Sequence, residues 1–296
     1  MINTFLQNST GHYFYPLFLT TVLPVFITIR FWLYFLFPDY KLFTMISIIT
    51  CSQKELSWDI HQRNVQKTAG SEIEYIRIDN RSHRYNLCSA YNEGVRRAAG
   101  DILVFMHEDV FFVEGGWAQK LTEKFSEESL GLIGVAGTQY LFADNPSWVA
   151  AGRPFVKGQV IHELNQGSSY FLTVFNWQNE DTPVVAVDGL FFAIRRSLFE
   201  RIRFDDVTFD GFHFYDIDIC MQVAKSHLLK VTTDILVKHL SGGSFNQSWK
   251  MYASRFIKKY YSVLPVCCTS TTPDLSRRIP FENFDLKGKA PQVTIC

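Results

Sequence analysis

The sequence predicts an α/β fold in which a mostly parallel central sheet is flanked by helices. From residue 45 onward, apolar strand-like runs alternate with single helical segments, which implies parallel strands joined by right-handed crossovers. Each of the first three strands runs into polar residues, and the carboxyl ends of parallel strands share one edge of a sheet. The chain has 296 residues, enough for one large α/β domain with appendages.

The elements follow one another in a regular order. The strand runs are apolar and rich in β-branched residues, and the first two helices stop at glycines 70 and 100. The predicted strands are 45–50, 73–78, 102–106, 184–193 and 231–237, and the predicted helices are 56–69, 86–99, 215–226 and 246–261. A long loop is expected at 139–177, where Trp148 and Trp177 either stack on a ring of a ligand or serve in packing.

Polar clusters follow the first three strands. The third strand runs straight into His107-Glu108-Asp109, and three such groups at a buried strand end are costly unless something binds them. Cys51-Ser52 and Asp79-Asn80 follow the other two strands. A solvated turn is the alternative for any one of these clusters, but together they predict one ligand-binding cleft.

Composition excludes some classes of function. Lys+Arg and Asp+Glu both number 29, so the chain lacks the basic surface typical of nucleic-acid binding. The six cysteines include no CxxC pair, which predicts reduced thiols and a cytosolic compartment.

The N-terminal segment differs from the rest of the chain. Between residues 13 and 37 the only charge is Arg30, and the segment is long enough to cross a bilayer. Arg30 and Lys41 lie toward its carboxyl end, so an anchored chain would have its remainder on the inner, cytoplasmic face of the membrane. A non-native extension before Met45 is the alternative. The expected domains are 1–44, a catalytic domain at 45–264 and an irregular tail at 265–296.

The chain contains neither of the common glycine-rich phosphate-binding motifs. No G-x-G-x-x-G follows the first strand, and G-x-x-x-x-G-K-[ST] does not occur. A bound diphosphate would therefore need a cation. Carboxylates after the third strand suit Mg²⁺ or Mn²⁺, which commonly bridge acidic side chains to phosphates.

Several of these runs together resemble family 2 glycosyltransferases of the GT-A fold, and among them the bacterial branch related to a streptomycin-biosynthesis protein. The runs that carry the resemblance are Met45-Ile46-Ser47-Ile48-Ile49-Thr50, Ile76-Arg77-Ile78-Asp79-Asn80, Ala90-Tyr91-Asn92-Glu93-Gly94 and His107-Glu108-Asp109. In that family the third strand ends in Asp-x-Asp, and here His107 replaces the first Asp. The resemblance implies Asp109 as a metal ligand, assisted by Glu108, and Asp79 as the contact to the nucleotide base. The residues expected to bind the nucleotide sugar are Cys51, Ser52, Asp79, Asn92, His107, Glu108, Asp188 and Gly189.

The same resemblance implies a catalytic base and a second metal ligand. Asp216 matches the family carboxylate that deprotonates the acceptor hydroxyl, although Tyr215 stands where Glu is usual. N-terminal helix capping is the alternative for Asp216, and Asp218 is expected to cap or support the helix. His239 matches a family metal ligand, and Ser241-Gly242-Gly243-Ser244 can offer N–H groups to a diphosphate.

The resulting expectation is a cytoplasm-facing glycosyltransferase of bacterial polysaccharide or glycoconjugate biosynthesis. It would use Mn²⁺ or Mg²⁺ and move a sugar from a nucleoside-diphosphate donor to a glycan, lipid-linked or small-molecule acceptor. The family implies inversion at the sugar. A nucleotidyltransferase of the same fold and a non-catalytic nucleotide-sugar-binding protein are the alternatives.

Overall fold

A seven-stranded mixed sheet forms the centre of the protein. In this computed structural model the described residues are 44–164, 169–176, 180–241 and 246–274. All of them belong to Thr44–Cys296, the second of two units into which the chain divides. The predicted membrane segment at 13–37, Trp177, residues 242–244 and the tail beyond residue 274 lie outside the described residues.

Fifteen strands and five α-helices are described. The strands are β1 (Ile46–Ser52), β2 (Glu74–Asp79), β3 (Ile102–Met106), β4 (Val110–Phe112), β5 (Leu130–Gly134), β6 (Ala136–Thr138), β7 (Tyr140–Leu141), β8 (Val156–Leu164), β9 (Ser169–Asn176), β10 (Thr182–Val184), β11 (Ala186–Val187), β12 (Phe191–Arg195), β13 (Leu228–Val231), β14 (Val237–His239) and β15 (Val266–Cys267). The helices are α1 (Glu55–Ala69), α2 (Leu87–Arg97), α3 (Trp117–Lys124), α4 (Tyr215–Val223) and α5 (Gln247–Tyr260), with a 3₁₀ helix at Arg196–Glu200.

The central sheet has the order β10-β13-β5-β12-β3-β1-β2. Its β1 pairs in parallel with both β2 and β3, as the alternation of strands and helices predicts. β12 then runs antiparallel between β3 and β5, so the sheet is mixed. The carboxyl ends of β1, β2 and β3 therefore share one edge.

A second sheet covers this edge, with the order β11-β6-β8-β14-β4 and with β9 paired to β8. β4 starts only four residues after β3 ends and pairs antiparallel with β14. β14 also pairs in parallel with β8. The chain leaving β3 is therefore held against β14, a strand that is distant in sequence.

The core lies on both faces of the central sheet, as the side-chain alternation of its strands requires. On one face Ile49 and Phe105 pack with Tyr91 of α2 and with residues of α4 and α5. On the other face Ile48 packs with Trp117 of α3 and with residues of α1. Among the described residues, no helix combines the length and apolar character that crossing a membrane requires.

Three sequence predictions are wrong. The expected strand at 184–193 is divided among β10, β11 and β12, because Leu190 N–H donates to Asp188 Oδ1 and turns the chain between β11 and β12. The expected strand at 231–237 is instead the connection between β13 and β14, because Asp234 N–H donates to Thr232 Oγ1 and turns the chain. The expected loop at 139–177 contains the paired strands β8 and β9. Within it, Trp148 packs edge-on against Phe175 with 5.1 Å between ring centroids.

Candidate active site

The turn after β3 brings two predicted site residues beside a third. His107 N–H donates to the Leu190 carbonyl, and Val110 N–H donates back to the His107 carbonyl, so the chain turns tightly between β3 and β4. His239 on β14 then lies opposite Val110. Leu240 N–H donates to the Asp109 carbonyl and fixes the end of β14 against the turn.

His107, Asp109 and His239 form a group that could hold a metal ion, which we call the metal-capable group. One ligand atom from each residue lies within 4.8 Å of the other two. His239 Nε2 is 3.4 Å from Asp109 Oδ1, and the two imidazole rings are 5.8 Å apart. Two imidazole nitrogens and one carboxylate oxygen suit Mn²⁺ better than Mg²⁺, which prefers oxygen ligands throughout. His107 was expected only at the nucleotide sugar, so its position here was not predicted.

Tyr215 sets the orientation and the protonated nitrogen of His107. Its hydroxyl donates to the Gly189 carbonyl at 3.0 Å and lies 2.6 Å from His107 Nε2. Because the hydroxyl has one proton, the Tyr215 oxygen accepts from Nε2–H, which leaves Nδ1 of His107 with its lone pair. Metal-ligating histidines commonly donate their other ring N–H in this way. The surroundings of His107 therefore fit a metal ligand.

Gly189 is required by the approach of Tyr215. A Cβ at position 189 would lie 2.1 Å from the Tyr215 hydroxyl oxygen and 3.0 Å from Asp216 Oδ2. Glycine at this position therefore permits the close approach of two side chains of α4.

Asp216 and Asp188 lie close to one another beside Gly189. Burial, together with the negative charge of Asp188, raises the pKa of Asp216 from 3.8 to about 7. Asp216 Oδ1 accepts from the Ile217 N–H, and Asp188 Oδ1 accepts from the Leu190 N–H. A carboxyl group with a pKa near neutrality in a cleft has the property required of a general base.

Asp218 has entirely different surroundings. It is 1% exposed and accepts hydrogen bonds from Lys259 Nζ at 2.6 Å and from the Tyr260 hydroxyl at 2.7 Å. Gln222 donates to its other oxygen. These contacts tie α4 to α5, and they agree with the supporting role expected for Asp218.

Glu108 and Ser52 contact each other at the end of β1. Glu108 accepts from the Ser52 hydroxyl at 2.8 Å and from the backbone N–H groups of Gln53 and Lys54. Glu108 therefore faces β1 and is not a member of the metal-capable group among the described residues, contrary to the expected assistance at the metal. Cys51 is half-buried, and burial raises the pKa of its thiol to about 11.

Asp79 and Asn92 are the remaining two residues predicted to bind the nucleotide sugar, and both hydrogen-bond to other residues of the chain. Asp79 accepts hydrogen bonds from the Arg81 guanidinium at both carboxylate oxygens and from the Arg81 backbone N–H, and these bonds lower the pKa of its carboxyl group to about 2. Asn92 donates to the Phe204 carbonyl and accepts from the Phe204 N–H. This pair of hydrogen bonds holds α2 to the chain before α4.

His162 is a cleft residue that sequence reasoning missed. It pairs with His239 across β8 and β14, with 6.2 Å between the rings, and stacks on Phe171 of β9. Burial and the nearby His239 lower its pKa, while the charge of Asp188 opposes this effect. The sequence signal for this position is the alternation of apolar and polar residues within 156–164, which predicts a strand where loop-like composition predicts a loop.

Comparisons with known proteins agree with this architecture. The model of a family described as "Glycosyltransferase like family" matches residues 47–260. No curated protein sequence matches the chain significantly. Among solved structures, GalNAc-T7 with UDP, GalNAc and Mn²⁺ has a TM-score of 0.50 and 15% identity, over 75% of this chain and 50% of that one. The mannosyltransferase PcManGT from Pyrobaculum calidifontis, in complex with GDP-Man and Mn²⁺, has a TM-score of 0.47 and 13% identity, over 85% and 73%.

The fold is therefore that of the GT-A glycosyltransferases. Since the family model spans well over half of the sequence, the chain belongs to the glycosyltransferase-like family.

Proposed function

We propose that the protein transfers a sugar from a nucleoside-diphosphate donor to an acceptor hydroxyl, with a divalent metal ion and with inversion at the sugar. One observation carries this proposal. The hydrogen bond between His107 and Tyr215 joins the metal-capable group to the first residue of α4, next to Asp216. This contact supports placing the diphosphate of the donor and a carboxylate with a raised pKa side by side.

The metal-capable group would hold the diphosphate end of the donor through Mn²⁺. When bound, the ion supplies positive charge that offsets the negative charge developing on the departing diphosphate. Asp109 contributes the anionic ligand and His107 and His239 the neutral ones. Tyr215 keeps the Nδ1 lone pair of His107 available by accepting from its Nε2–H.

Asp216 would act as the base on the acceptor. As the acceptor oxygen bonds to the anomeric carbon, its proton passes to the Asp216 carboxylate, and the diphosphate leaves with the electron pair of the broken bond. A base with a pKa of about 7 is largely ionised at slightly alkaline pH and still accepts a proton readily. In-line attack on the face opposite the diphosphate gives inversion.

The test is diphosphate release from a panel of nucleotide sugars, with and without Mn²⁺ and with candidate acceptors. We expect Asp109→Ala to abolish transfer, and Asp216→Asn to fold and bind the donor without turnover. Near-normal turnover of Asp109→Ala at saturating Mn²⁺ would rule out the metal role. Donor binding without release by the native chain would support a non-catalytic nucleotide-sugar-binding protein.

For acceptor and location, we propose a bacterial glycan or glycoconjugate made on the cytoplasmic face of the membrane, with residues 13–37 as the anchor. The apolar character of these residues and the single charge of Arg30 support this. Fractionation of chains starting at Met1 and at Met45 provides the test. If both chains remain in the supernatant, the anchor does not exist.

A further inference from the structure

A cavity of about 400 Å³ lies beside β2, the terminal strand of the central sheet. Its walls are residues of β2, the loop after it and the end of α2. We call it the arginine pocket, because four arginines face a single carboxylate: Arg77, Arg81, Arg84 and Arg97 against Asp79, with Ile78, Ser82 and Tyr85 completing the lining.

Arg77 is the buried cation of the pocket. Its side chain is 13% exposed, and its guanidinium lies over the Trp58 ring, 4.3 Å from the ring centroid. Its Nε and Nη2 atoms are buried and have no hydrogen-bond partner within the described part of the chain. Its Nη2 atom lies 4.0 Å from Asp79 Oδ1, which is within the range of an ion pair but too long for a hydrogen bond. A buried charged donor without an acceptor is costly, so this guanidinium lacks an oxygen ligand.

The nearby carboxylates are already engaged by other arginines. Arg81 contacts both oxygens of Asp79, at 2.9 and 2.6 Å. Arg97 pairs with Glu93 at 2.6 Å. Arg84 is exposed and lies over the Tyr85 ring, and none of the ion pairs between described residues involves it. Positive charge in the pocket therefore exceeds negative charge, because Arg77 shares the one lining carboxylate, Asp79, with Arg81, and Arg84 has no ion pair among the described residues.

We propose that the arginine pocket binds a phosphate group of a ligand other than the sugar donor. Guanidinium groups match the geometry and charge of phosphate oxygens, and several of them converge here. The pocket is separate from the metal-capable group. Asp79 pairs with Ser52 of β1, and β1 lies between β2 and β3, so about 10 Å, two strand spacings, separates the two strand ends.

The phosphate could be free or carried by a phosphorylated sugar, and the two sources share the same recognition chemistry. Inorganic phosphate and glucose 6-phosphate are therefore titrated into the full chain by calorimetry, with EDTA present so that no metal ion contributes. We expect saturable binding of one ligand per chain. Equal affinity for both probes assigns the pocket to the free anion, and tighter binding of glucose 6-phosphate assigns it to a phosphorylated sugar.

Three variants make the test specific to the pocket. We expect Arg77→Gln and Arg84→Gln to weaken phosphate binding at least tenfold, and the matched control Arg63→Gln, on the exposed surface of α1, to bind as the native chain does. Arg84 is exposed, so its variant stays informative even if the loss of Arg77 from Trp58 prevents folding. Native-like phosphate binding by Arg84→Gln, or equal loss in Arg63→Gln, would overturn the proposal.

Titration with nucleotides distinguishes the arginine pocket from the site of the sugar donor. UDP and GDP are titrated with Mn²⁺ into the native chain and into Arg84→Gln. We expect unchanged nucleotide affinity in the variant, because the pocket holds a different ligand. A parallel tenfold loss of nucleotide affinity would contradict the proposal, because it would make the arginine pocket part of the donor site. Phosphate binding at the arginine pocket does not depend on the metal-dependent transfer proposed above. The phosphate titrations contain EDTA, so their outcome stays the same whether or not that transfer occurs.

Discussion

At the scale of single residues, Asp216 and Asp218 show how surroundings assign different roles to identical side chains. Asp216 is largely buried and lies near the negative charge of Asp188. Asp218 instead forms an ion pair with Lys259, which compensates its charge. This difference supports the proposal that Asp216 is the base, while the contacts of Asp218 tie α4 to α5.

The pH dependence of activity follows from the raised pKa of Asp216. A base must be unprotonated, so we expect kcat/KM to fall as pH drops below about 7. Asp188→Asn removes the charge that helps to raise this pKa, and it should move the midpoint of the kcat/KM profile to lower pH. Burial is the larger cause and remains, so the midpoint should stay above 3.8.

Thermal stability tests the raised pKa of Asp216 without any measurement of enzymatic activity. The pKa of Asp216 is about 7 in the folded state, against 3.8 as the ordinary value. Its contribution to the free energy of unfolding is therefore fully present below pH 3.8 and is lost as pH rises through 7. Asp216→Asn avoids this loss, so its Tm relative to the native chain should rise between pH 4 and 7. A constant difference in Tm over this range would contradict the raised pKa.

The residue types at the site could be predicted from sequence, but their contacts could not. Asp109 and Asp216 stand out because they follow or begin recognisable elements. The partnership of His107 with Tyr215 joins positions 108 apart in the chain, and no local pattern records it. The close approach at Gly189 likewise depends on where α4 packs.

At the scale of elements, the geometry of α4 makes the side chains of Asp216 and Asp218 point in different directions. Residues two apart on a helix point about 200° from one another, so Asp216 faces the cleft when Asp218 faces α5. The sequence predicted this helix because apolar residues surround the two acids. It did not predict the hairpin of β8 and β9, because glycine and polar residues around those strands resemble loop composition.

Asp218→Ala tests the supporting role of the helix contact. Removing this carboxylate takes an acceptor from Lys259 and from the Tyr260 hydroxyl, so we expect a loss of about 3 kcal/mol in the free energy of unfolding. Urea titration measures this loss. Glu114→Ala is the matched control, because this exposed residue lies 3.8 Å from Lys120 and should change stability by no more than about 0.5 kcal/mol. If the two variants unfold alike, α4 does not depend on this contact.

At the scale of the whole molecule, the metal-capable group joins two sheets. His107 and Asp109 follow β3 of the central sheet, while His239 ends β14 of the second sheet. The order of the strands in the chain could predict that polar residues after β1, β2 and β3 meet at one edge of the sheet. The second sheet could not be predicted, because β4 and β14 have three residues each and pair across more than a hundred positions.

This arrangement predicts that Mn²⁺ stabilises the folded chain. The complete set of ligand atoms exists only when both sheets are formed, so the ion binds the native state far better than the unfolded chain. At about 100 times its Kd, Mn²⁺ should add about 2.7 kcal/mol to the free energy of unfolding. Thermal unfolding against Mn²⁺ concentration measures the effect.

Two variants distinguish the metal ligands from Tyr215, the residue that hydrogen-bonds to one of them, in the measurement of Tm against Mn²⁺. Asp109→Ala should show no dependence of Tm on Mn²⁺, because the anionic ligand is missing. Tyr215→Phe retains all three ligands but loses the hydroxyl that accepts from His107 Nε2–H, so it should need about 10 to 100 times more Mn²⁺ for the same rise in Tm. If Asp109→Ala is stabilised as much as the native chain, the ion binds elsewhere and the two sheets are not joined by it.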